Sequence, residues 1–63
     1  MFNETDIARA ARSMIRDYGR YAATKAAEEV SKARNQRRAT AVKVWMQIES
    51  EIKRLQGELE PGC

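Results

Sequence analysis

The amino-acid sequence predicts an all-α fold, a small three-helix bundle, and three observations carry that prediction. Ala41, Trp45, Ile48, Ile52, Leu55 and Leu59 follow one another at alternating spacings of four and three. That rhythm lays all six along one stripe of an α-helix. Ile7, Ala10, Ala11, Met14, Ile15 and Tyr18 repeat the pattern near the start, with Arg9, Arg12, Arg16 and Arg20 on the opposite face. Between them lie Ala22, Ala23, Ala26, Ala27, Val30 and Ala33, small side chains that let another helix approach closely. Should Gly19 not break the first helix, the alternative is a two-helix antiparallel hairpin that dimerises.

The first helix is expected over about residues 4–18. Asn3 is a good N-cap, with Asp6 three residues on, and Phe2 and Ile7 have the spacing of a hydrophobic staple. Glu4 and Asp6 also place negative charge at the positive end of the helix dipole. Gly19 can take the left-handed conformation that ends a helix, or it can be tolerated inside one at a cost of about 1 kcal/mol. The second helix is expected over about 21–34, with Glu28 and Lys32 as a favourable i,i+4 pair. Asn35 to Arg38 has no apolar residue and marks the second turn. The third helix is expected over about 38–56, stopped by Gly57. Residues 1–57 then form one domain, and 58–63 a flexible tail.

A chain of 63 residues forms one small core at most. Its hydrophobic share of 43% contains ten alanines, which favour helix but bury little area. Larger apolar groups are few, so a homo-oligomer or a larger protein partner is expected. The third helix is too short and too poor in flanking charge pairs to be a zipper on its own. It packs better against the alanine-rich segments, with the one tryptophan, Trp45, on the ridge that they wrap.

Tyr18-Gly19, alanines at helical spacing, and then Val44-Trp45, Ile48, Ile52 and Leu55-Gln56 resemble a family of small uncharacterised alphaproteobacterial helical proteins. In that family an aromatic-Gly or His-Gly turn precedes an Ala-rich helix, a Gly-Asp turn and a closing Val-Trp, Ile, Ile, Leu-Gln helix. The likeness runs from about Thr5 to Gln56 and departs at the second turn, where Asn35-Gln36-Arg37-Arg38 replaces Gly-Asp. It implies three helices and a bacterial cytoplasmic setting. It implies no activity.

The residues argue against an enzyme, a cofactor and a small-molecule substrate. There is no histidine and a single cysteine, Cys63, and no Gly-rich phosphate loop or nucleophile beside a base. No metal cluster can be assembled from such a set. Cys63, after Pro61-Gly62, reads as an incidental thiol. No apolar run is long enough for a bilayer, and the start lacks a signal-peptide layout, so a cytoplasmic location is expected.

Two candidate surfaces remain. Lys32, Arg34, Arg37, Arg38 and Lys43 fall between Glu29 and Glu49 with no acid among them. Arg37 and Arg38 would stand at a helix N-terminus, which is already partly positive, and unopposed cations there suit an anion. A solvated polar turn explains the run more simply and is favoured at this level. With the Arg9/Arg12/Arg16/Arg20 stripe, the run could contact DNA or RNA backbone; the net charge of +3 is modest. Val42, Met46 and Tyr21 widen the apolar surface and are the candidate protein-interaction residues. A small non-enzymatic interaction or accessory protein, self-associating, is the expected function, and nucleic-acid binding is the alternative.

Overall fold

The computed structural model describes residues 4–59, and every regular element among them is helical. α1 is Glu4–Tyr18, a 3-10 turn covers Gly19–Tyr21, α2 is Ala22–Asn35 and α3 is Ala39–Leu59. The Asn3 cap, the Phe2–Ile7 staple, and the tail from residue 60 with Cys63 lie outside the described residues.

The expectation of three separate helices is corrected. Helical backbone continues from Glu4 to Asn35, so counted by unbroken helix the chain has two arms, as the hairpin alternative had it, but the first arm folds back on itself at Gly19. Gly19 takes φ +57, which turns the chain. Yet the Ala22 N–H still donates to the Gly19 carbonyl, so the corner stays hydrogen-bonded as a 3-10 turn. A straight first arm would run about 48 Å at about 1.5 Å per residue, longer than the 37 Å long axis of the molecule. The arm is therefore bent at Gly19.

The bend lets both halves of the first arm use the same face of α3. α2 packs most extensively on α3, and α1 packs on it as well. The side-chain amide of Gln56 donates to the Gly19 carbonyl at 2.9 Å, tying the bend to the far end of α3. Ala10 shares a groove with Ala39, Ala41 and Ile48. α1 thus runs parallel to α3, and α2 antiparallel to both.

Ile7, Ala11, Ala22, Ala26, Ile48 and Ile52 form the buried cluster, with Met14, Ile15, Val44, Trp45 and Leu55 packed around it. Ile52 is the largest side chain that is fully buried. Val30 and Ala33 extend the buried face of α2 towards the turn. The seam is where the 4-3 spacing placed it, but its centre is not the indole. Trp45 is half-buried, while Ile48 and Ile52 are buried. In the groove that Trp45 lines, the described residue of the first helix is Ala10, whose methyl is too small to cover a ring.

α3 also overruns its expected stop. The helix passes through Gly57 to Leu59, so the expected tail begins inside it. Gly19 is the glycine with positive φ; Gly57 supplies no left-handed cap, and its helix penalty of about 1 kcal/mol is absorbed. No helix of the described residues is long and apolar enough to cross a membrane.

Candidate functional site

The hairpin end is built by a cap that uses an unusual residue. After Asn35 ends α2, Arg37 N–H donates to the Arg34 carbonyl at 3.1 Å, and Arg38 N–H to the Ala33 carbonyl at 2.9 Å. These are the two bonds of a Schellman motif, which requires a left-handed residue at the first position past the cap. Arg37 fills it at φ 58. Glycine takes that conformation freely, whereas an L-residue with a Cβ is strained by about 1–2 kcal/mol. Arg38 then starts the next helix, its carbonyl accepting from Val42 N–H at 2.9 Å. One tight turn serves as both stop and start.

This turn gathers four of the five expected cations. Arg34, Arg37, Arg38 and Lys43 line a shallow hollow of about 470 Å³ together with Ala39 and Val42. None of the four engages in an ion pair among the described residues. Lys32 does not join them: its ammonium pairs with Glu29 at 3.3 Å. The expected Glu28–Lys32 pair gives way to Lys25–Glu28 at 3.4 Å. Three-residue spacing proves the closer approach for both lysines.

The second basic stripe, Arg9, Arg12, Arg16 and Arg20, is exposed and lies apart from the turn cations. Arg9 and Arg12 border a separate hollow with Thr5 and Ala8, and Arg16 lies 3.6 Å from Asp17. Arg12 also faces α3, where its charge acts on Glu51. The Glu51 carboxyl is held below its ordinary range chiefly by the hydrogen bond from Arg54. Desolvation opposes this, and the charges of Arg54 and Arg12 reinforce it. Glu49 and Lys53 form the expected i,i+4 pair at 3.1 Å.

The three apolar candidates do not form one patch. Met46 is 49% exposed and Tyr21 66% exposed, whereas Val42 is half-buried on the rim of the basic hollow. Tyr21 lies in the corner turn, beside the end of α3 marked by Gln56. Val42 sits fourteen residues before Gln56, about 21 Å along the helix axis. Tyr21 therefore belongs to the opposite end of the molecule. Next to it Tyr18 carries Lys25 over its ring, 5.7 Å from the centroid.

Reading the sequence missed a second concavity. A groove of about 640 Å³ lies between α1 and the first half of α3, lined by Ala10, Arg38, Ala39, Thr40, Ala41, Val44, Trp45 and Ile48. It exists because Ala10 and Ala41 are small where the two helices converge. Each alanine was visible in the sequence, but their facing each other was not. Among the described residues no cluster of His, Cys, Asp and Glu could hold a metal ion.

No family model, no curated protein and no solved structure matches the chain. The family likeness drawn from Tyr18-Gly19 and Val44-Trp45 therefore rests on those residues alone.

Proposed function

We propose that the chain is a small, non-enzymatic cytoplasmic interaction protein that self-associates or docks on a larger acidic partner through its hairpin end. The observation that carries this reading is the basic hollow. Four cations without ion-pair partners among the described residues line the hollow with Val42, and Met46 lies one turn further along α3 with half its surface in water. Apolar contact flanked by unsatisfied charge is the composition of a docking face, in which the charge steers and the apolar atoms hold. The strain at Arg37 supports the same reading. A position that suits glycine carries a guanidinium instead, and strained backbone clusters at functional sites.

Sedimentation velocity at micromolar concentration, run on the natural chain and on Val42→Glu/Met46→Glu, tests association. Concentration-dependent oligomers that the variant abolishes are expected. Affinity capture with Arg37→Gln/Arg38→Gln as the comparator tests docking. A chain that stays monomeric and captures the same proteins with or without those arginines would sink the proposal.

A second reading, contact with DNA or RNA backbone, draws on the same four cations. Phosphate contacts of this kind give binding that weakens steeply with salt. Gel retardation on random duplex across a salt series separates the readings. No shift at low salt removes the nucleic-acid one.

A further inference from the structure

The groove between α1 and α3 has a polarity that runs along its length, and it meets the basic hollow described above at Arg38 and Ala39, which line both. At one end stand Arg38 and Thr40. Val44, Trp45 and Ile48 follow along α3, with Ala10 as the opposite wall. Among the described residues no carboxylate lines it, and Arg38, the one charged residue among those that do, has no ion-pair partner there. At about 640 Å³ it falls within the size of small-molecule sites, which are mostly apolar with a few polar groups to fix orientation.

We propose that this groove binds a free medium-chain carboxylate, head at Arg38 and Thr40, tail along Val44, Trp45 and Ile48. Charge complementarity selects the head. A guanidinium pairs with a carboxylate through two parallel hydrogen bonds, and Thr40 can donate a third. A cationic or uncharged head would leave Arg38 unmatched. Length selects the tail: Thr40 to Ile48 rises about 12 Å along the helix, which a chain of about ten carbons spans. Burying the exposed part of the indole ring supplies the apolar contact. The inference shares Arg38 with the docking reading but not Val42 or Met46, so Ala10→Leu tests the groove alone and Val42→Glu/Met46→Glu the docking face alone.

The full chain is titrated with decanoate below its micelle concentration, following Trp45 emission and backbone amide shifts. Decanol, decyltrimethylammonium and phosphatidylglycerol vesicles are run in parallel. A saturable blue shift with decanoate is expected, with amide shifts concentrated at Ala10, Thr40 and Val44. Arg38→Gln should weaken decanoate about tenfold and leave decanol unchanged. Ala10→Leu, which fills the groove with a good helix former, should abolish binding of both while helix content is retained. Equal binding of the three soluble amphiphiles, no saturable binding at all, or no effect of Arg38→Gln would overturn the assignment. So would binding to vesicles alone, which would make the ligand a membrane surface.

Discussion

Gly19 and Arg37 hold nearly the same left-handed backbone, φ +57 and φ +58, at opposite ends of the molecule. At the first corner the residue suits the dihedral, and the bend is free of strain. At the second corner the dihedral is the same, but the residue carries a Cβ and a charge. Conformation alone would place glycine at both corners. The difference separates what the fold needs, a left-handed residue, from what the surface presents, a guanidinium beside three other cations.

The comparison can be broken at either corner. Gly19→Ala has the largest expected effect, a loss of about 1 kcal/mol or more of stability by chemical denaturation. A Cβ there would meet nothing within 4 Å, so the loss would be backbone strain unmixed with a clash. If the variant is as stable as the natural chain, the bend does not depend on that dihedral. Arg37→Gly should move the other way, raising stability by about 0.5–1 kcal/mol once the greater freedom of glycine in the unfolded chain is subtracted. A destabilised Arg37→Gly would mean that the side chain is holding the turn, and the strain argument would fall.

The smallest effect sharpens the contrast by showing charge that costs no strain. Glu51, between Arg54 on its own helix and Arg12 on α1, has a carboxyl held below its ordinary value of 4.5. A depressed folded value stabilises above the unfolded pKa and is lost as pH falls through the folded one. Stability should thus dip slightly as pH drops below about 4.5. Arg54→Gln should flatten that dip and raise the Glu51 midpoint in an NMR titration. An unmoved midpoint would remove the assigned cause.

Much of the fold could be read from residue spacing, and its failures have identifiable causes. The stripe from Ala41 to Leu55 and the apolar gap from Asn35 to Arg38 marked α3 and its turn, because angle around a helix follows directly from spacing. Depth along the bundle does not. Trp45 shares an angle with Ile52, yet it sits where its neighbour is an alanine, so it is half-covered. Gly19 was ambiguous because a glycine can bend a backbone with or without releasing its hydrogen bonds. Gly57 misled because helix penalties near a terminus are small beside tertiary packing. At the candidate site, the acid-free run named five cations, of which four line the hollow. It could not show that Lys32 would turn towards Glu29, or that Tyr21 and Val42 would stand at opposite ends. Both depend on which helix faces which.

The three-residue turn between α2 and α3 also sets an order of events. Residues that flank it are neighbours in the chain, so their pairing closes almost no loop. The contact between Gly19 and Gln56 spans 37 positions. Loop closure costs grow with separation and must be met before distant contacts reward them. The antiparallel pair can therefore zip from the arginine corner outward, and α1 swings in against a surface already laid down. The segment that joins last also walls one side of the groove, so local undocking of α1 would open that groove without unfolding the hairpin.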